Sequence, residues 1–445
     1  MKRILFVILA LLAFIVVIAM TRGFGPGGPA VDDRGANGTA SFDTGTLLVL
    51  SDADMAGTGY ADGKTLQVAG QRDTLTLLGD LSGDTPTRSE TFASNSVVGW
   101  PAASVTSSDG RYVYIIENQG EIDDAITKLD DPYNASPGRQ VTAIRLDDGS
   151  LTATRLDVCT NPSAVSIMPD DSALMISCLD AERPVMRIDL ADGVPFRAVP
   201  LAGAVPAPSE RKSGFGFSRL SPDGRHVVTT SGDQNIQFFR IDGDRVEAIG
   251  EAITFPDMWL AMGRWSADGR HVVFADTGWG PGDMDAVLNK PGHLVSIAFD
   301  PDGAHREVSR VATSQSPEGM EFNPQGDLIA VANMERSYLP HGLPYDLFKR
   351  SDYSSLSLVT FDSKTGALRV VDGPVRTEAI LPEDIMFDDD GDALALLSYQ
   401  ETKRGTPRSA WMDIYAIDDG PTIRPTGQRI TLPRGAHDFE IVRGR

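Results

Sequence analysis

Residues 217–230 read FSRLSPDGRHVVTT, in which Ser221-Pro222-Asp223-Gly224-Arg225 separates two short runs rich in apolar and β-branched residues. Asp-Gly pairs suit the positive-φ positions of a tight turn, and flanks of this composition are typical of paired strands. The stretch therefore predicts a β-hairpin.

The same hairpin recurs along the chain. Five more first turns lie at Ser107–Arg111, Met168–Ser172, Ser266–Arg270, Asn323–Asp327 and Asp388–Asp392. A second turn follows each first turn, at Asp148-Gly149, Asp192-Gly193, Asp242-Gly243, Asp302-Gly303, Thr365-Gly366 and Asp419-Gly420. The repeat is about 56 residues long, and two hairpins per repeat give the four antiparallel strands of a propeller blade.

The predicted fold is an all-β, seven-bladed β-propeller that spans residues 44–445. About 400 residues at about 56 per repeat give seven blades, with eight as the main rival count. The seventh blade is expected to combine Gly45–Leu50, Thr65–Val68 and Thr74–Leu78 with the C-terminal strand Asp438–Val442. This sharing would close the ring and remove free sheet edges.

The N-terminus has the pattern of an export segment. Lys2 and Arg3 precede 17 residues, Ile4–Met20, without a charge. Both a cleaved signal peptide and an uncleaved membrane-anchoring helix fit this length. Residues 1–22 are assigned to this segment, and the Gly- and Pro-rich residues 23–43 to a flexible linker. We expect a periplasmic or cell-surface protein that contacts a membrane only through its N-terminus.

The charge of the chain limits its partners. With 62 acidic and 40 basic side chains, the formal net charge is −22. Such a chain cannot neutralise a phosphate backbone, which excludes nucleic acid as a partner. The remaining partner classes are a small molecule, a polysaccharide or a protein, and the chain is expected to be a monomer.

Two cysteines, Cys159 and Cys178, flank the turn Met168–Ser172. In an exported protein such a pair suggests a disulfide. Two buried free thiols are the alternative. A metal site is disfavoured because no histidine lies beside them in the sequence.

The recurring unit of apolar residues around SPDGR resembles the repeats of lactonase-like and YVTN-type seven-bladed propellers, with similarity to TolB-type and WD40-type repeats. The segment Ser316–Asn333 is most similar to the lactonase-like pattern. The resemblance covers nearly all of the chain after the linker. It implies the fold and a range of functions, from sugar-lactone hydrolases and cofactor enzymes to binding scaffolds. The basic residues and histidines that phosphosugar lactonases of this type carry at strand starts are mostly missing.

Four long segments lie between the second and third strands of their blades, at residues 117–139, 276–292, 333–354 and 398–410. Equivalent loops of a propeller emerge on one face, where binding sites usually lie. We call it the loop face. The chain also leads into the innermost strands on this face, so residues there should surround the mouth of the central channel.

The channel mouth is the first candidate site. Its oxygen-rich side chains suit Ca²⁺, and the predicted ligands are Asn161, Glu318, Glu383, Asp384 and Asp438. For an ester or lactone hydrolase, Glu318, Asp384 and His437 are the predicted catalytic residues, moving protons beside a polarised carbonyl. The alternative is that these are solvated polar residues that begin strands.

The loops hold the second set of candidates. The predicted binding residues are Trp100, Trp259, Trp279, Glu335, Arg336, Tyr338 and His341. Arg336 could hold a carboxylate or phosphate through two hydrogen bonds, although an ion pair between Glu335 and Arg404 is an alternative. A scaffold function predicts that the aromatic residues form an exposed patch.

Two functions remain open: an exported scaffold that binds its ligand on the loop face, and a lactonase-like hydrolase that works at the channel mouth. The sequence lacks a GxSxG elbow, an HExxH helix, a CxxCH haem attachment and a phosphate loop. Serine-hydrolase, zinc-protease and haem functions are therefore disfavoured.

Overall fold

A computed structural model describes residues 29–443 except 80, 82–85, 135, 148, 150, 209–212, 281–284 and 342–350. In this part of the chain the strands form seven antiparallel sheets, and the predicted seven-bladed propeller is confirmed. The predicted export segment, residues 1–22, lies outside the described residues. Within them, no helix is both long and apolar enough to cross a membrane.

The blades follow one another in chain order, and each is given from its innermost strand outward. Blade 1 contains β4 (Ser104–Thr106), β5 (Tyr112–Ile116), β6 (Gln140–Arg145) and β7 (Ala153–Asp157). Blade 2 contains β8 (Pro162–Ile167), β9 (Ala173–Cys178), β10 (Val185–Ala191) and β11 (Val194–Pro200). Blade 3 contains β12 (Phe215–Leu220), β13 (His226–Ser231), β14 (Asn235–Asp242) and β15 (Arg245–Ala248), with the short β16 (Ile253–Thr254) beside β14.

The other four blades have the same order. Blade 4 contains β17 (Leu260–Trp265), β18 (His271–Asp276), β19 (Pro291–Ala298) and β20 (Arg306–Gln315). Blade 5 contains β21 (Pro317–Phe322), β22 (Leu328–Asn333), β23 (Ser354–Asp362) and β24 (Ala367–Thr377). Blade 6 contains β25 (Ile385–Phe387), β26 (Ala393–Ser398), β27 (Ser409–Asp418) and β28 (Thr422–Pro433). Blade 7 contains β29 (Ala436–Val442), β1 (Thr46–Ser51), β2 (Thr74–Gly79) and β3 (Thr87–Phe92). The helices are short: α1 (Gly59–Asp62), α2 (Asp285–Leu288) and a 3₁₀ turn at Pro132–Asn134.

Blade 7 closes the ring as predicted. The C-terminal strand β29 is its innermost strand and pairs antiparallel with β1, with Val49 opposite Phe439. The prediction of a strand at Thr65–Val68 is wrong, because these residues lie in the loop between β1 and β2. The fourth strand is Thr87–Phe92, which reads TRSETF and is largely exposed. An outermost strand facing water lacks the apolar alternation by which strands are recognised.

The repeated turn is stabilised by its own polar side chains. Ser221 Oγ donates to Asp223 Oδ1 at 2.6 Å and accepts from the backbone N–H of His226 at 3.0 Å. Gly224 has a φ of +68°, the left-handed conformation that favours glycine. The same serine–aspartate bond recurs between Ser266 and Asp268 at 2.7 Å. The motif therefore encodes its turn locally, which is why it could be recognised in the sequence.

The core lies between the blades. The second strands are buried along their whole length in blades 1, 2, 4, 5 and 6, as in Leu328–Asn333. Such strands read as continuous apolar runs because both faces of the sheet are covered by neighbouring blades.

Much of the predicted linker is held against the propeller. Arg34 forms two hydrogen bonds of 2.7 Å to the carboxylate of Asp372, and Asn37 N–H donates to Pro425 O at 2.8 Å. Phe42 is buried in the core beside blades 6 and 7. Residues 32–42 therefore run across the outer strands of blades 5 and 6, while residues 23–28 lie outside the described part.

Cys159 and Cys178 form a disulfide, with their Cα atoms 6.3 Å apart. The bond joins the segment that leads into β8 to the end of β9. Of the two options that the sequence leaves open, the structure has the disulfide.

Candidate functional site

The loop face carries the long loops at the predicted positions, 117–139, 277–290, 334–353 and 399–408, between second and third strands. Blade 7 adds a fifth, residues 52–73, which contains α1. This loop was not predicted, because Thr65–Val68 had the composition expected of a strand.

An aromatic cluster lies on this face above the channel mouth. The rings of Tyr60 and Trp279 are 6.3 Å apart, and those of Trp279 and Tyr338 are 5.0 Å apart. Tyr60 donates to Val97 O at 2.6 Å, and Trp279 Nε1 donates to Ser316 Oγ at 2.8 Å. Together with Trp259 these rings belong to one apolar cluster, which we call the aromatic cap.

The expectation of an exposed aromatic patch is wrong for three of its four residues. Trp259, Trp279 and Tyr338 are only 7%, 9% and 0% exposed, and Trp100 is half-buried. The reason is that loops from several blades pack on one another and bury their aromatic side chains. These three residues therefore do not form the exposed patch that a scaffold function predicts.

Glu335 and Arg336 also have internal partners. Arg336 is buried and donates from Nε to Asn289 Oδ1 and from Nη2 to Asn289 O, both at 2.6 Å. Glu335 accepts hydrogen bonds from Ser314 Oγ and Ser355 Oγ rather than from Arg404. Arg336 therefore holds the loop that follows β18 and is not open to an external anion.

His341 is half-buried at the edge of the described part of its loop, immediately before the gap 342–350. Of the predicted loop residues, it and Trp100 keep partial exposure. Binding by these two residues stays a prediction.

The structure brings two of the predicted mouth residues together. Glu318 and Glu383, at equivalent positions near the starts of blades 5 and 6, have carboxyl groups within hydrogen-bonding reach of each other. They are 4% and 1% exposed. Burial raises the pKa of Glu318 to about 8. Burial, and then the charge of Glu318, raise the pKa of Glu383 well above its usual range.

Asp384 and Asp438 form a second pair next to the first. Asp438 Oδ2 accepts from Ser104 Oγ at 2.6 Å, and Asp384 Oδ2 accepts from the N–H of Phe439 at 3.3 Å. Burial and then the charge of Asp438 raise the pKa of Asp384, while burial raises the pKa of Asp438 to about 6. These carboxyl groups connect blades 6, 7 and 1.

His437 and Asn161 are engaged elsewhere. His437 Nε2 lies 2.7 Å from Asn95 Oδ1, and the amide nitrogen of Asn95 donates to Ala93 O and Ser51 O. Asn95 Oδ1 is thus an acceptor, so His437 carries its proton on Nε2. Burial lowers the pKa of His437 to about 3, which keeps the ring neutral. The amide of Asn161 donates to Asn118 O at 2.9 Å.

An acidic cluster that was not predicted from the sequence lies in blade 7. It consists of Asp52, Asp54 and Asp73, whose carboxylate oxygens lie within 4.8 Å of one another. No other three acidic, histidine or cysteine side chains lie so close together among the residues that the structure describes. Each of the three aspartates accepts a backbone N–H from a neighbouring segment, as Asp54 does from Ile122 at 2.6 Å. The cluster therefore ties loops together. The signal was Asp-Ala-Asp directly after a buried strand.

The five predicted calcium ligands do not form such a set in the described chain. Calcium at the channel mouth stays a prediction, which the metal content of the purified protein would test.

The comparisons with known proteins agree with the fold. No family model matches the chain, and no curated protein matches its sequence. Among solved structures, the Pseudomonas aeruginosa periplasmic gluconolactonase PpgL has a TM-score of 0.59 at 16% identity, covering 91% of this chain and 100% of that one. A provisionally assigned 6-phosphogluconolactonase of Bacteroides uniformis has 0.58 at 14%, covering 89% and 99%. A hypothetical selenium-binding protein of Sulfolobus tokodaii has 0.56 at 7%, covering 89% and 93%.

The chain thus has the fold of lactonase-like seven-bladed propellers, as the sequence resemblance implied. At these identities the likeness concerns the fold alone.

Proposed function

We propose that this protein is an exported, monomeric lactonase-like hydrolase that opens an uncharged sugar lactone at the carboxyl pair of Glu318 and Glu383. The observation that carries the proposal is this pair itself. Two buried carboxyl groups in hydrogen-bonding reach cannot easily both be ionised, so over a range of pH they hold one proton between them.

A carboxyl pair with one proton holds both groups that ester hydrolysis needs. The ionised carboxylate takes a proton from water as the water oxygen bonds to the lactone carbonyl carbon. The protonated carboxyl gives its proton to the ring oxygen as the carbon–oxygen bond breaks. The product is the open hydroxy acid. The pair again holds one proton, on the other member, and water is the only co-reactant.

The electrostatics of the mouth favour an uncharged substrate. Glu318 and Glu383 are joined there by Asp384 and Asp52, whose charges also raise the pKa of Glu383. A phosphorylated sugar would bring another anion into this region, and like charges disfavour each other at short range. The gluconolactonase among the fold neighbours supports a sugar lactone as the substrate class.

Two observations support a location outside the cytoplasm. The disulfide between Cys159 and Cys178 is a feature of oxidising compartments. The basic residues followed by an apolar run at the N-terminus have the pattern of an export segment, either cleaved or retained as an anchor.

The proposal is tested by following lactone opening by the purified full chain at pH 8, with spontaneous hydrolysis subtracted. Glucono-δ-lactone and its 6-phosphate are offered in parallel. The expected result is catalysed opening of the uncharged lactone, with at least tenfold lower kcat/KM for the phosphorylated one. Failure to open any sugar lactone in the series would overturn the proposal.

A further inference from the structure

Four charged residues lie in a layer at one level of the innermost strands, below the mouth: Arg219, Arg264, Glu321 and Glu440. Arg219, Arg264 and Glu321 each stand two residues before the first turn of their blade. They pair with Val228, Val273 and Ala330, each the third residue of a second strand, and Glu440 has the equivalent partner, Leu48.

The strand register and the hydrogen bond from Arg264 to Glu321 bring these side chains close to one another. Burial and then the charge of Arg264 lower the pKa of Arg219. Glu440 has its pKa raised by burial to about 7, against the opposing effect of Arg219. Two cations thus lie at this level on blades 3 and 4, with acids on blades 5 and 7. The charges of Asp384 and Asp438 at the mouth also act on Arg264 and Arg219.

Arg264 has a hydrogen-bonding group without a partner. Its Nε donates to Glu321 Oε2 at 2.7 Å. Its Nη1 is buried and finds no hydrogen-bond partner in the described part of the chain, although the residue is only 9% exposed. An unmet N–H on a buried guanidinium is costly, so this group has a hydrogen bond to offer to a water molecule or to a ligand.

Two neighbouring residues have unused donors as well. The half-buried guanidinium of Arg219 makes no ion pair within 4.0 Å among the described residues, although it lies close to a second cation. On blade 2, Ser166 occupies the equivalent strand position, and its buried Oγ has no partner in the same part of the chain. Ser166, Arg219 and Arg264 thus form a row of donors on three adjacent blades.

The opposite side of the layer can accept hydrogen bonds. The Glu321 side chain is 31% exposed, and Glu440 is half-buried. Their carboxylate oxygens suit hydroxyl donors. A small molecule with a carboxylate at one end and hydroxyls along its length matches both sides, and a guanidinium binds a carboxylate with charge-assisted hydrogen bonds.

We propose that this channel layer binds a small polyhydroxy carboxylate, with its carboxylate on Arg219 and Arg264 and its hydroxyls on Glu321 and Glu440. The layer lies towards the first turns, and its partly exposed side chains contrast with the buried Glu318 and Glu383. The ligand therefore enters from the face of the propeller that carries the first turns, opposite the loop face. The inference stands without the proposed lactonase activity, although such an acid is also the class of product that a sugar lactonase releases.

The test is isothermal titration calorimetry of the full chain with gluconate as the probe. We expect a Kd below about 1 mM, weakened at least tenfold in Arg219→Gln and in Arg264→Gln. Arg240→Gln, at an exposed surface position, is the matched control and should stay within twofold of the wild type. Arg264→Gln leaves Glu321 without its ion pair and can misfold for that reason. In that case Arg219→Gln is the variant that decides the test.

Two further titrations show which groups of the ligand are recognised and whether the carboxyl pair is involved. Acetate, and sorbitol, which has no carboxylate, should each bind at least tenfold more weakly than gluconate. The Glu318→Gln variant, which alters the carboxyl pair, should bind gluconate as the wild type does. Gluconate binding can therefore be confirmed even if the protein opens no lactone. Absence of gluconate binding, undiminished binding in Arg219→Gln, or equal binding of acetate would overturn the proposed binding.

Discussion

The carboxyl groups of Glu318 and Glu383 lie within hydrogen-bonding reach of each other although they belong to different blades. Both follow a proline at the place where the chain leads into an innermost strand, Pro317-Glu318 and Pro382-Glu383. The repeat puts the two residues at equivalent positions of adjacent blades, and the ring then places them side by side. Burial of such a pair makes it a holder of protons near neutral pH rather than a pair of free anions.

The pH dependence of the reaction should follow this pair. The ionised carboxylate that activates water forms as the pH rises through about 8, the pKa to which burial raises Glu318. Glu383, whose pKa is also raised, keeps its proton at that pH. We therefore expect kcat/KM for a sugar lactone to rise about tenfold per pH unit below about pH 8 and to level off or fall above it. A rate that is highest at pH 5 would contradict this assignment.

Tyr60 should control the pKa of the pair. Its ring packs against Trp279 in the aromatic cap above the channel mouth, and its own pKa is raised by burial and by the charges of Glu383 and Glu318. Replacing Tyr60 with Ala removes part of the cover. Because burial is the main cause of the raised pKa of Glu318, the acid limb of the kcat/KM profile should move down by about one pH unit. Tyr60→Phe keeps the ring and should leave the limb in place, and equal profiles for the Ala and wild-type proteins would contradict the expected role.

Asp54 should reduce stability at high pH. Burial and the charges of Asp52 and Asp73 raise its pKa in the folded protein to about 10. The folded state thus binds a proton that the unfolded state releases above about pH 4, and stability falls as the pH rises through that window. Asp54→Asn should raise the unfolding free energy at pH 8 by about 1–2 kcal/mol and have little effect at pH 4.

Thermal unfolding at both pH values measures the effect of Asp54→Asn. Glu182→Gln, at an exposed position, is the control and should leave the unfolding temperature unchanged at both pH values. Destabilisation by Asp54→Asn at pH 8 would show that the carboxylate is needed in its charged form, as it would be if the cluster held a cation.

Arg34 should fix the N-terminal segment to the propeller. Its two hydrogen bonds to Asp372 and a third of 2.8 Å to Ile423 O are the strongest link of residues 32–42 to blades 5 and 6. Since the pair is partly exposed, Arg34→Ala should cost about 1 kcal/mol. The clearer readout is limited proteolysis, which should cleave between residues 29 and 43 several-fold faster. Arg34→Lys replaces the two-pronged guanidinium with a single ammonium group, so its cleavage rate should lie between those of the wild type and Arg34→Ala. An unchanged cleavage rate in Arg34→Ala would contradict the expected role.

The repeat was predictable from sequence because its turns are local. The serine, aspartate and glycine of Ser221–Arg225 make their bonds within five residues, so each copy carries its own signal. Closure through the C-terminal strand followed from the count of repeats. The outer strand Thr87–Phe92 was missed because exposure on both faces leaves no pattern to recognise.

The sites were less predictable because they depend on contacts between blades. Glu318 and Glu383 were found as candidates from their equivalent positions, but their direct pairing depends on how adjacent blades pack. Trp279 and Tyr338 were expected to be exposed because their burial depends on loops from other blades. Arg219 and Arg264 went unnoticed because each is a single charge in an apolar strand, and only the strand register shows that they share one level of the channel.

The most direct test of the account is the kcat/KM for glucono-δ-lactone of Glu318→Gln and Glu383→Gln, beside the wild type and Glu121→Gln, an exposed carboxylate on the same face. We expect kcat/KM to fall by about 10²–10⁴-fold in both pair variants, the usual effect of removing a general acid or base. Their unfolding temperatures should stay close to that of the wild type, and kcat/KM of Glu121→Gln should be unchanged. Wild-type activity in either well-folded pair variant would show that catalysis does not occur at this pair.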